Sequence, residues 1–118
     1  HVDFCGSITK AVAQTKDYLA KHHLHLKIEV ETRNLDEVKE ALNANVDFIM
    51  LDNFDLATMK EAVTLINRQT KTEASGGITK ETVRAIAETG VDFISSGAII
   101  HSASNFDLSL KAIKLVKE

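Results

Sequence analysis

Short apolar runs that each close on an acidic residue recur along this chain at a fixed interval. Glu31, Asp52 and Glu73 lie 21 positions apart, within Lys27-Ile-Glu-Val-Glu31, Asp47-Phe-Ile-Met-Leu-Asp-Asn53 and Lys71-Thr-Glu-Ala-Ser-Gly-Gly77. A further run, Val91-Asp-Phe-Ile-Ser-Ser-Gly97, follows at nearly the same spacing. Stretches of helical period separate the runs, so the repeating unit is a strand plus a helix, the building block of a parallel sheet or barrel. Parallel strands all point one way and bring their C-terminal ends to one rim, where such folds build their sites. This chain places carboxylates and glycines at that rim.

The helices between the runs carry their own start and stop signals. Ser7 can cap a first helix with Ile8, Ala11, Val12 and Leu19 largely on one face, ending near His22 and His23. Asn34 with Glu37 is a start of the capping-box type, and Asn45 is suited to stop that helix in a left-handed conformation. Asp55 caps the next helix, with Leu56, Met59, Val63 and Ile66 inward, and it ends around residues 67–70. Thr79 is expected to cap a helix over Lys80 to Thr89, stopped by Gly90. A last helix is expected from about Asp107 through Leu110, Ile113 and Val116.

Four strand–helix units preceded by a helix make a partial (β/α) barrel, about half of an eight-fold barrel of roughly 250 residues. The competing arrangement is an open, doubly wound four-stranded sheet. The barrel is preferred because polar residues end every strand, whereas an open sheet gathers its ligand groups at one switch point.

Composition narrows the function classes. A 118-residue chain that is 44% hydrophobic and 26% charged fits one globular domain or part of a larger one. A formal net charge of −3 leaves no footprint for nucleic acid. No stretch has the length and apolarity of a membrane span, and no signal peptide opens the chain. A single cysteine, Cys5, excludes an internal disulfide and suits a reducing cytoplasm; with no catalytic histidine beside it, it reads as inert. The chain opens His1-Val-Asp-Phe-Cys5 rather than with methionine, as the interior of a longer polypeptide does.

At the rim, Ser75-Gly76-Gly77 follows a strand and precedes a helix, so its amides can approach an anion with no side chain in the way. Ser95-Ser96-Gly97-Ala98 repeats the pattern after the next strand. Either turn alone is what any tight turn looks like; two at adjacent strand ends are how barrels hold a phosphate. Glu31 and Asp52 close neighbouring strands and project to the same mouth. Such a pair can hold Mg²⁺, accept hydrogen bonds from sugar hydroxyls or stabilise a cationic transition state, or it can be two solvated rim acids. Glu29 alternates with Ile28 and Val30 and is expected to face the barrel interior with Glu31. His101 can donate to a phosphate oxygen, though a lone histidine after a strand is commonly structural. His22, His23 and His25 have no carboxylate or cysteine beside them and read as a solvated turn.

Lys27 to Glu31, Ile49-Met-Leu-Asp-Asn-Phe54, Glu73-Ala-Ser-Gly-Gly-Ile-Thr79, Glu88-Thr-Gly-Val-Asp92 and Gly97-Ala98 through His101-Ser102 resemble, in this order and spacing, the C-terminal half of the quinolinate phosphoribosyltransferase barrel. His1 resembles the histidine of the family's Lys-Asp-Asn-His segment, which sets the start of the chain inside the barrel. Residues 1–118 would then be the C-terminal part of that domain, without the N-terminal domain and first barrel strands. The resemblance implies transfer of phosphoribose from phosphoribosyl pyrophosphate to quinolinate, with loss of CO₂, giving nicotinate mononucleotide and pyrophosphate in NAD biosynthesis. It implies Glu31 and Asp52 near the ribose and its Mg²⁺, and Ser75, Gly76, Gly77, Gly97 and Ala98 in loops receiving the 5′-phosphate, with His101 beside them. It also implies a homo-oligomer, dimer or higher, because an arginine of the site comes from a partner subunit. The basic residues that grip quinolinate belong to segments absent here, so this piece alone is expected to be inactive, and its open strand edges are expected to associate. Two other readings stay open. One is a sibling phosphoribosyltransferase acting on nicotinate or associated with molybdenum; the other is a non-catalytic half-barrel assembly module.

Overall fold

The structure, a computed structural model, describes residues 7–95 and the strand at 113–117. Its elements are α1 (Ser7–Lys21), β1 (Leu26–Thr32), α2 (Leu35–Asn43), β2 (Phe48–Asp52), α3 (Leu56–Ile66), β3 (Lys71–Ser75), α4 (Val83–Glu88), β4 (Phe93–Ser95) and β5 (Ile113–Lys117). They form one sheet in the order β4-β3-β2-β1-β5, with β1 to β4 all parallel. Consecutive strands are neighbours throughout β1 to β4, so this run contains none of the order reversal that an open doubly wound sheet requires.

Side-chain alternation decides which face each strand buries. Ile28, Val30, Ile49, Leu51 and Ala74 point to one face and join Ile8, Val12, Val38, Ala41, Met59, Ala62 and Ile66 of the helices in a single core. Thr32 lies on the same face, fully buried, and its hydroxyl donates to the Met50 carbonyl at 2.8 Å. The alternate residues Glu29, Glu31, Phe48, Met50, Asp52, Glu73, Ser75, Phe93 and Ser95 are paired across the opposite face. Helices packed on one face of a parallel sheet are the arrangement of a barrel wall.

A repeated tetrapeptide pins the register. Val46-Asp-Phe-Ile49 and Val91-Asp-Phe-Ile94 each open a strand. Asp47 Oδ2 accepts the Ile28 N–H at 2.8 Å, and the Asp47 N–H returns to the Ile28 carbonyl at 3.0 Å. Asp92 Oδ2 accepts the Thr72 N–H at 2.8 Å and the Thr72 hydroxyl at 3.1 Å. Each aspartate thus clamps its strand to the preceding one, and a slip of one residue would turn the buried face outward.

The caps at Asn34 and Asp55 form as expected. Asn34 Oδ1 accepts the Glu37 N–H at 2.9 Å, and Asp55 Oδ1 accepts the Thr58 N–H at 2.7 Å. Glu37 reaches back to the N–H of Arg33 at 2.7 Å, one residue ahead of the usual capping-box partner. Asn45 at φ 57° and Gly90 at φ 98° sit in the left-handed region after α2 and α4.

Two expectations are corrected. α4 begins at Val83 rather than Lys80, because the Thr79 and Thr82 hydroxyls bond to each other and to the intervening backbone and hold residues 79–82 in a separate turn. Residues 113–117 form a strand, not the end of a helix. They pair antiparallel with β1 from Leu26↔Lys117 to Val30↔Ile113, satisfying backbone groups along an edge that would otherwise lie open. The β-branched Ile113 and Val116 suit that role. The earlier part of the expected helix, residues 107–112, falls outside the described residues.

Replacing Asp92 by alanine strips acceptors from the buried Thr72 N–H and hydroxyl. Urea unfolding is expected to show a loss of about 1–3 kcal/mol, with no change in slope; an unchanged midpoint would show that the clamp does not hold the register.

Candidate functional site at the strand C-terminal ends

Glu31 ends the inward-facing row of β1, and Asp52 is the last residue of β2. Asp52 lies near enough for its carboxylate to act on that of Glu31. The carboxyl of Glu31 is pushed up to about 7, first by burial, then by Asp52; Arg33 opposes the shift. Near neutral pH, Glu31 therefore exchanges its proton readily, and an arriving cation or developing positive charge would favour the ionised pair.

Asp52 pairs in register with Ser75, and the turn Ser75-Gly76-Gly77 continues from there. Gly76 at φ 85° and Gly77 at φ 62° occupy backbone conformations that other residues rarely adopt. A Cβ on Gly76 would lie 2.9 Å from Asp52 Oδ1, and one on Gly77 would lie 3.2 Å from Asn53 Oδ1. Bare backbone in this turn thus serves two purposes: it leaves amides open to an anion, and it lets the end of β2 approach. The expected support from a helix N-terminus is weaker than the sequence suggested, since the Thr79–Thr82 turn stands between the glycines and α4.

The structure brings Glu31, Asp52, Ser75, Gly76 and Gly77 to one rim. Gly97, Ala98, His101 and Cys5 lie outside the described residues. The inward position of Glu29 is as expected, and the residue is only 2% exposed. Sequence reasoning noted Glu73 but gave it no role in the site. It shares an inward row with Met50 and Phe93, and its carboxylate accepts the Ser95 hydroxyl. Sequence reasoning also missed Asn53, held at φ 59° directly after Asp52; an asparagine following a strand-end acid was the available signal. His22 stacks on Tyr18 with ring centroids 4.1 Å apart, and its Nδ1 lies 2.9 Å from the Tyr18 carbonyl. A cleft of about 720 Å³ opens at the other end of the strands, lined by Asp47, Asn67, Arg68, Lys71 and Asp92 among others. Its aspartates are already engaged in the register clamps, and barrel chemistry is built on the opposite rim.

A wall of consecutive parallel strands with helices on one face defines a partial α/β barrel, and its carboxylates and glycine turn gather at the C-terminal rim. Residues 1–111 match the family quinolinate phosphoribosyl transferase, C-terminal domain, and the chain belongs to it. The chain is 45% identical over 126 aligned residues to the chloroplastic nicotinate-nucleotide pyrophosphorylase (carboxylating) of Oryza sativa subsp. japonica, covering 94% of this chain and 34% of the rice protein. It is 47% identical over 117 residues to a probable nicotinate-nucleotide pyrophosphorylase (carboxylating) of Synechocystis sp., covering 97% and 39%. The solved nicotinate-nucleotide pyrophosphorylase of Ehrlichia chaffeensis superposes with a TM-score of 0.72 at 38% identity, covering 94% of this chain and 37% of that one. The chain spans about a third of the length of the curated relatives it matches. No helix among the described residues is long and apolar enough to cross a membrane.

The position of Glu31 sets the sign of a pH effect. Its carboxyl is raised from 4.5 to about 7, so the folded chain holds more protons than the unfolded chain between those values. Stability should therefore fall as pH rises through that window and level off above it. With solvent screening of this half-exposed group, the span is about 1–2 kcal/mol. Asp55, lowered by its bond from the Thr58 N–H, acts in the opposite sense and only at more acid pH. Urea midpoints measured from pH 4 to 8 should lose most of the decline in Glu31→Gln; an equal decline in both proteins would assign it elsewhere.

Proposed function

We propose that this chain forms the phosphoribosyl-receiving side of an enzyme that transfers phosphoribose from phosphoribosyl pyrophosphate to quinolinate, releasing CO₂ and pyrophosphate and yielding nicotinate mononucleotide for NAD biosynthesis. The observation that carries this reading is the contact of Glu31 with Asp52 beside the Ser75–Gly77 turn, in a chain of this family. A sugar phosphate has an anionic end and a carbon that becomes cationic when pyrophosphate departs. The glycine turn offers amides to the first, and the carboxylate pair offers negative charge to the second. Gly97, Ala98 and His101 are assigned to the 5′-phosphate by resemblance.

In this mechanism Asp52, packed against Gly76, holds its carboxylate at the boundary between the two subsites. In its ionised form Glu31 adds its negative charge to that of Asp52 where positive charge develops on the ribose. The hard oxygen donors of Glu31 and Asp52 fit Mg²⁺, which commonly uses one or two carboxylates together with water and substrate phosphates. When bound, Mg²⁺ would neutralise charge on the departing pyrophosphate.

Recognition of the acceptor belongs largely elsewhere. Among the described residues, Arg33 is the cation that bears on Glu31, whereas Lys27 and Lys71 stand at the opposite ends of their strands. A dicarboxylate acceptor needs more positive charge than that. We assign it to other segments of the full-length polypeptide and to a partner subunit in a homodimer or higher oligomer. A cytoplasmic, reducing setting suits the single cysteine.

In the full-length polypeptide, Glu31→Gln and Asp52→Asn are each expected to lower kcat/KM by about 100-fold or more, read as nicotinate mononucleotide formed from quinolinate. Wild-type rates in both variants would remove the pair from the chemistry. The 118-residue chain by itself is expected to form no product. Turnover by the purified piece would show that these residues suffice for acceptor binding.

A further inference from the structure

We propose that Asn53 is a positioning residue that locks the Ser75–Gly77 turn onto the end of β2, setting the anion-receiving amides and the Asp52 carboxylate at a fixed spacing. The inference rests on the phosphoribosyl reading above and deepens it. Three observations converge on Asn53. Its backbone adopts φ 59°, a left-handed conformation that asparagine tolerates far better than most residues. Its N–H donates to the Ser75 carbonyl at 2.8 Å, adding a bond beyond the last ladder pair, Asp52↔Ser75. Its Oδ1 lies 3.2 Å from the point where a Cβ on Gly77 would sit, while its own nitrogen lies 3.1 Å from the corresponding point on Gly76.

The two turns are therefore interlocked. Asp52 Oδ1 and the Asn53 nitrogen border the space a side chain on Gly76 would need, and Asn53 Oδ1 borders that of Gly77, so only bare backbone brings the turn this close to β2. The ladder bond from Asn53 to Ser75 keeps it from moving away. In a ribose phosphate the distance from phosphate to anomeric carbon is limited to the range that the torsions of the 5′ arm allow. A rim that already holds amides and carboxylate at the matching spacing binds it without ordering the turn first, and small misplacements at such a site carry large losses.

The test separates side chain from backbone in the full-length polypeptide. Asn53→Gly accepts the left-handed backbone without strain but removes the side chain over Gly77. Asn53→Asp keeps the shape and adds a negative charge beside the turn. Binding of ribose 5-phosphate is measured by calorimetry, with kcat and KM for phosphoribosyl pyrophosphate and the melting temperature recorded alongside. Asn53→Gly is expected to melt close to wild type, to bind ribose 5-phosphate at least about tenfold more weakly, and to raise KM more than it lowers kcat. Asn53→Asp should weaken binding in a manner partly relieved by salt, and it carries the test if the glycine variant does not fold. Binding within twofold of wild type in both variants would overturn the inference and leave the functional reading standing. A wild-type protein that neither binds ribose 5-phosphate nor forms nicotinate mononucleotide would bring down that reading and the inference with it.

Discussion

Each parallel strand must bury one side chain in two against the helices, and the rest of the molecule is arranged around that constraint. Ile28 and Val30, Ile49 and Leu51, and Ala74 fill the helix side, so their sequence neighbours are directed to the opposite face. A carboxylate on that face is tolerated only where it finds a partner or water. On this face Glu31 lies beside Asp52, and Glu73 accepts the Ser95 hydroxyl. The burial that stabilises the sheet is thus also what gathers charge along its inner surface and rim.

Burying Glu31 beside a second carboxylate is unfavourable for the resting protein, and its proton affinity is raised toward neutrality, first by burial and then by Asp52. In a site that must stabilise positive charge, the repulsion between the two carboxylates is useful, because it is relieved as that charge develops. The register clamps at Asp47 and Asp92 act at the other end of the sheet, where nothing in the proposed chemistry takes place. Acids at the strand starts fix the wall, and acids at the strand ends are the ones that the proposed chemistry uses. This division follows the usual separation of stability and activity between the two faces of a barrel.

The strand–helix repeat, the polar rim and the pairing of Glu31 with Asp52 were legible because they depend on periods and spacings within the chain. The caps at Asn34 and Asp55 were legible because a cap is a contact between near neighbours. The late start of α4 was not, because Thr79 was read as a cap without weighing Thr82 as its partner in a closed turn. The strand at 113–117 was missed for a different reason. Its residues alternate as well as they follow a helical period, and only the open edge of β1 selects between the two.

The sequence by itself determined which residues face the helices, where most elements begin and end, and which family the chain resembles, since all three reside in local order. Tertiary structure decided that the Glu31 carboxyl holds its proton toward neutral pH, that Gly76 and Gly77 lie against Asp52 and Asn53, and that β1 acquires an antiparallel neighbour. Those outcomes depend on distances between segments 20 or more residues apart, such as Asp52 and Gly76 across adjoining strands. Spacing along the chain brings such segments to one rim. Only packing sets the fractions of an ångström on which a proton affinity or a close backbone approach depends.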